Sequence, residues 1–407
     1  MNAMKTLFCR IYQKCLFLAQ SLLRFRVPET LEGSGALSSI PGKLKEEGKK
    51  HPLIVATPSM IRTGSISLLT SPLEEEGIPY ELFSDVKPDS PFPVIEEAYE
   101  LFRASSCDCL IAIGGGSAMD TAKAVGAKAA NPKRPLSSFK GVLKVRRKIP
   151  FLIAIPTTAG SGSEATLASV VYDPENRDKF AINDPHLIPS LAVLDAELLL
   201  SLPPSVIAST GMDALTHALE SFLGNARTKL TKKCSLQAME LIRDHLVPFC
   251  LDPKEKSHRE AMLKASFLAG VSFTRGYVGY VHALAHALGG RYGVSHGYAN
   301  AILLPFVLEG YGGKASKKLA EASSYLGLAP EKATREEKAK ALIEWVKDLN
   351  RKMGLTNSLQ ETIREEDIAS LAEHAAKEGN PLYPVPKEMD AAELGTILMK
   401  VKRNEID

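Results

Sequence analysis

The chain has 407 residues, 45% of them apolar, a net charge of +3 and six cysteines, enough length for two domains, or one large one, around a substantial core. Cys9, Cys15, Cys107, Cys109, Cys234 and Cys250 form neither a disulfide framework nor a CxxC pair, and no basic stripe interleaves with aromatics. These features set aside a disulfide scaffold and a nucleic-acid partner, and free thiols fit a cytoplasmic, reducing compartment.

Residues 1 to 26 contain Lys5, Arg10, Lys14, Arg24 and Arg26 and no acid, so the remainder of the chain is mildly acidic. The apolar run Cys15 to Ala19, followed by Leu22 and Leu23, is too short and too interrupted to span a bilayer. Residues 1–22 therefore read as an N-terminal extension, a helix or tail added to the body. The basic, amphipathic composition of 1–26 is also that of an organelle transit peptide or a membrane-peripheral helix.

Between about 51 and 195, His51 to Ala56, Tyr80 to Phe83, Leu110 to Ile113, Phe151 to Ile155 and Leu191 to Leu194 read as strands, with helical patterns at Pro93 to Phe102 and Ser117 to Ala130. Near-continuous apolar strands alternating with helices predict a doubly wound parallel sheet, an α/β nucleotide-binding domain over 23–197. Within it, Gly114-Gly115-Gly116 ends a strand and Ser117 opens a helix. Glycines let backbone approach a ligand closely, and free amides at a helix N-terminus favour phosphate. The spacing is not the GxGxxG fingerprint, and Asp120 reads as structural. A second turn, Pro156-Thr157-Thr158-Ala-Gly160-Ser161-Gly162-Ser163-Glu164, follows the next strand. Two polar turns at the carboxyl ends of parallel strands mark where open α/β sheets bind ligands.

After Asp195 the strand signal ends, and Pro203-Pro204 opens a helix-rich region, so 198–407 is expected to be an all-α domain. Six of the nine histidines fall between 217 and 296, four of them in the pattern Asp213-x3-His217, His282-x3-His286 and His296. An i, i+4 pair lies on one helix face about 6 Å apart. Carboxylate and imidazole without thiolate suit Fe(II) or Zn(II), with a coordination position left for a substrate oxygen. Taken alone, Asp213 could be a helix cap.

The motifs Gly114 to Lys123, Pro156 to Glu164, Gly211 to Glu220, His282 to Gly289 and His296 to Pro305 resemble the iron-containing alcohol dehydrogenase family from about residue 25 to the C-terminus. The resemblance implies a dehydroquinate-synthase-like architecture, a nucleotide-binding α/β domain followed by a helical metal-binding domain, with metal and nicotinamide in the cleft. It places Asp213, His217, His282 and His296 on the metal ligands and His286 on a non-ligating histidine near the nicotinamide, a candidate proton relay. Gly115, Gly116 and Ser117 match pyrophosphate contacts, Thr157 and Thr158 nicotinamide-side contacts, and Lys179 a basic residue that reaches the cofactor. Thr57 stands where the family often has an acid holding the adenosine ribose, so NAD(P) is expected with a leaning to NADP. The implied partner is a small alcohol or aldehyde substrate, and the implied assembly a homodimer or higher homo-oligomer. The alternative is a dehydroquinate-synthase-like or other cofactor-recycling lyase on the same fold.

Overall fold

The computed structural model describes residues 3–21 and 25–405. Leu22, Leu23 and Arg24 of the basic N-terminal segment lie outside those residues. The chain divides into two compact units, one of Arg24–Leu202 and Lys254–Gly270, the other of Met1–Leu23, Pro203–Pro253 and Val271–Asp407.

Among the described residues, the first unit is built on nine strands: β1 (Glu29–Glu32), β2 (Pro52–Ala56), β3 (Glu81–Phe83), β4 (Cys109–Gly114), β5 (Gly141–Val142), β6 (Phe151–Pro156), β7 (Ala168–Asp173), β8 (Asp178–Asn183) and β9 (Leu191–Leu194). Six of them form a sheet in the order β1-β9-β6-β4-β2-β3, every pairing parallel. β2, β4 and β9 are buried along their whole length. Leu-Ile-Val and Leu-Ile-Ala-Ile runs suit a sheet covered on both faces, where no polar alternation is needed. The helices Phe92–Ala104 and Gly116–Ala130 follow β3 and β4.

Four strands lie beyond the five expected from sequence: β1, β5, β7 and β8. β1, Glu-Thr-Leu-Glu, is a short charged edge strand that pairs with β9. β7 and β8 form an antiparallel hairpin extended by β5 into a separate three-stranded sheet. Along β7, partly exposed and buried residues alternate, as one face of a small sheet requires.

In the second unit the principal helices are Ala3–Ser21, Pro204–Leu223, Lys229–Leu251, Tyr280–Tyr292, His296–Tyr311, Gly313–Leu326, Arg335–Lys352, Ile368–Gly379 and Ala391–Arg403. Pro204 opens the second of these at a position where its missing N–H costs nothing, and from Gly211 to Leu223 that helix is buried throughout. Capping boxes at Thr228 with Thr231, Thr334 with Glu337 and Asp390 with Glu393 fix three other starts.

Candidate metal centre and nucleotide turns

The Pro204–Leu223 helix presents Asp213, His217 and Glu220 on one face, at i, i+4 and i+7. The Tyr280–Tyr292 helix supplies His282 and His286, and the first residue of the His296–Tyr311 helix is a histidine. One ligand atom each from Asp213, His217 and His282 lie within 4.8 Å of one another, all three residues buried. The Asp213 Oδ1 is 3.9 Å from His282 Nε2 and 3.5 Å from His296 Nε2. A divalent ion with bonds of about 2.0–2.2 Å sets neighbouring ligand atoms a little over 3 Å apart, so small side-chain rotations seat one here. The donor set, one carboxylate and three imidazoles, fits iron(II) or zinc(II). Burial, followed by the His217, His296 and His286 rings, holds His282 well below its ordinary pKa, in the neutral form that ligates.

Three residues that sequence reading passed over orient this group. The Glu220 carboxylate accepts from the amides of Gly279 and Val281, both at 2.7 Å, and from His282 Nδ1 at 2.6 Å. Burial pushes its pKa up, but three donors on two oxygens favour the ionised acceptor. That contact puts the His282 proton on Nδ1 and turns Nε2 toward Asp213. Asn300 Nδ2 donates to Asp213 Oδ1 at 2.7 Å and lies 3.1 Å from His296 Nε2. The His286 ring stacks on His296, centroids 5.2 Å apart, and its Nδ1 is 2.8 Å from Glu378 Oε1. Glu378 also accepts from the Tyr383 hydroxyl at 2.7 Å; burial raises its pKa, and His286 and Tyr383 outweigh that to leave it lowered. The one signal in the sequence was a second acid, Glu220, seven residues after Asp213 on the same helix face.

In the first unit the register of the sheet aligns the turns. Ala56 pairs with Ile113 and Gly114 with Pro156, which sets Thr57, Gly115 and Thr157 at one edge. Thr57 N–H donates to Ile113 O and Thr157 N–H to Gly114 O. Gly114 has φ +155°, and a Cβ there would meet Thr57 Cγ2 at 2.6 Å, so only glycine fits. A side chain at Gly115 would lie 3.8 Å from Thr158 Oγ1, and one at Gly116 3.6 Å from Ser161 Cβ, so the two turns converge. No side chain caps the Gly116–Ala130 helix, leaving its first amides for an anion. Lys179, on β8, is held by Asp89 at 2.6 Å; the neighbouring Ser90 Oγ donates to Ser117 O.

A buried lysine fixes the second turn. Lys123 Nζ donates to Ser163 O at 2.7 Å, Ser163 Oγ at 3.0 Å, Thr166 Oγ1 at 2.9 Å and Ala168 O at 2.8 Å. Burial lowers its pKa to about 8, against the pull of Asp120 and Glu164. Ser163 Oγ also lies 3.3 Å from Asp120 Oδ1, which gives Asp120 a structural role.

Residues 28–196 match the family described as iron-containing alcohol dehydrogenase, and residues 207–401 match the C-terminal part of the Fe-containing alcohol dehydrogenase family. The chain is 34% identical to alcohol dehydrogenase 4 of Schizosaccharomyces pombe, over 92% of its own length and 89% of the relative's. It is 35% identical to lactaldehyde reductase of Escherichia coli K12, over 86% and 92%. The solved structure of a 1,3-propanediol oxidoreductase superposes with a TM-score of 0.90 at 30% identity, covering 93% of this chain and all of that one.

Proposed function

Because the chain belongs to the iron-containing alcohol dehydrogenase family, we propose that it interconverts an alcohol with its aldehyde or ketone in a metal-dependent, NAD(P)-linked reaction. The observation that carries this is the convergence of Asp213, His217 and His282, with His296 beside the same carboxylate oxygen. When bound, a divalent ion would supply Lewis-acid polarisation of the substrate oxygen, and the nicotinamide would supply or take up hydride. The protein's share is to hold and orient. Asp213 brings the one negative charge among the four ligating side chains, and Glu220 fixes the ligating face of His282. His286, oriented at Nδ1 by Glu378, offers Nε2 to the hydroxyl proton.

The uncapped Gly116–Ala130 helix and the converging turns fit the pyrophosphate and nicotinamide ends of the cofactor. Thr57 supports NADP, since a hydroxyl there does not repel a 2′-phosphate. The free cysteines support a cytoplasmic enzyme.

The test is a panel of primary and secondary alcohols and their carbonyl products, run with NADH and NADPH on protein loaded with Fe(II) or Zn(II). One cofactor consumed per product formed is expected; product without net change in cofactor would instead indicate a lyase. In parallel, Asp213→Ala and His282→Ala should lose bound metal by elemental analysis. His286→Ala should keep its metal and lose turnover. Unchanged metal content in both ligand variants would refute the assignment.

A further inference from the structure

The N-terminal helix Ala3–Ser21 precedes both stretches that match the dehydrogenase family, and nothing in the proposed chemistry uses it. One face is fastened to the helical unit. Arg10 Nε pairs with Glu388 at 2.5 Å, and its other nitrogens donate to Val385 O and Pro386 O. Gln13 Nε2 donates to Tyr383 O at 2.8 Å and Pro381 O at 3.2 Å, and Cys9, next to Arg10 in the sequence, is buried.

The opposite face is apolar and open. Met4, Leu7, Phe8, Ile11, Tyr12 and Leu18 are exposed, Met4 to 78%, Phe8 to 61% and Leu18 to 66%. At 100° per residue these side chains and Cys15 form one stripe, about 140° wide from Leu7 to Tyr12. Lys5 borders it on one side and Lys14 on the other, and the helix contains no acid. No helix among the described residues is long and apolar enough to cross a membrane.

We propose that this stripe docks the protein onto an anionic lipid surface, with the helix lying in the interfacial plane. Broad apolar faces bordered by lysines bind such interfaces, because the ring and alkyl groups enter the acyl boundary while the ammonium groups reach the anionic headgroups. A second copy of the chain fits less well. The stripe is wider than a coiled-coil seam, and pairing it with its own copy brings lysines together with no acid on the helix to answer them. The bonds from Arg10 and Gln13 hold the stripe outward before any lipid is met, so little ordering accompanies docking.

The experiment is co-sedimentation of the full chain with vesicles of phosphatidylcholine alone and with phosphatidylglycerol added at about 3:1, alongside sedimentation equilibrium without lipid. Binding to the anionic vesicles at least tenfold stronger than to phosphatidylcholine is expected, weakening as salt is raised. Ile11→Asp, at the centre of the stripe, should lower it at least tenfold while alcohol turnover stays unchanged. Lys5→Glu with Lys14→Glu should remove the preference for anionic lipid, and this pair serves if Ile11→Asp does not fold. Equal, weak binding to both vesicles overturns the proposal. So does an Ile11→Asp variant that changes the oligomeric state and leaves lipid binding untouched, which would assign the stripe to a second copy.

Discussion

Single atoms decide two properties of this protein. Thr57 closes β2 with a neutral hydroxyl, 3.1 Å from Ser59 Oγ. Replacing it by Asp introduces a charge that repels a 2′-phosphate and accepts from a 2′-hydroxyl. Thr57→Asp should therefore shift the ratio of kcat/KM toward NADH by about 1–3 kcal/mol, roughly tenfold to over a hundredfold. Steady-state kinetics with both cofactors on both proteins checks it, and an unchanged ratio would remove Thr57 from the ribose. Glu220 is the second case. Glu220→Gln keeps the shape but sets an NH2 group against the amides of Gly279 and Val281 or against His282 Nδ1. Metal affinity, read by chelator competition, should fall by roughly 10–100-fold with the fold intact. Glu220 was hidden in the sequence because nothing local separates a buried orienting acid from a solvated one; its partners lie 59 to 62 positions away.

At the scale of elements, the metal centre depends on how closely two helices approach. A Cβ on Gly297 would lie 2.5 Å from Ser209 O and 3.5 Å from Asp213 Cβ, so the His296–Tyr311 helix begins in backbone contact with the helix that bears Asp213. Gly297→Ala must push that first turn away and His296 with it. A loss of metal affinity of about tenfold or more is expected. Gly290→Ala is the control: nothing lies within 4 Å of a Cβ there, the site is helical, and stability should rise by about 0.4–1 kcal/mol with metal binding unchanged. β2, β4, β6 and β9 were legible because a two-sided parallel sheet writes uninterrupted apolar runs into the sequence. The hairpin of β7 and β8 was not, since the positions that bury along Ala168–Asp173 are Ser169, Val171 and Asp173, so Ala-Ser-Val-Val-Tyr-Asp carries no apolar period of two.

For the whole molecule, the partition between units escapes a linear reading. Residues 254–270 lie well past the expected boundary at 197 yet belong to the sheet-containing unit. One anchor is a contact of two glycines, Gly162 and Gly270, where a Cβ on Gly162 would fall 2.7 Å from Gly270 Cα. Such a contact leaves no hydrophobic period to detect. Beside it lies Glu164, fully buried, whose pKa burial raises from its ordinary 4.5 to about 7. A carboxyl that holds its proton more tightly when folded stabilises the native state below pH 4.5, and that contribution is lost as pH rises through 7. The loss is on the order of 3 kcal/mol. Urea midpoints for Glu164→Gln and the parent should therefore diverge between pH 5 and pH 8, the variant gaining at the higher pH; parallel curves would show that Glu164 ionises freely. Lys123 carries a different consequence. Its ammonium group gathers four oxygens from Ser163, Thr166 and Ala168 much as a bound potassium ion would, except that it cannot diffuse away. The turn it organises is thus set before any ligand arrives, and the entropy of ordering that loop is spent during folding instead of being subtracted from affinity.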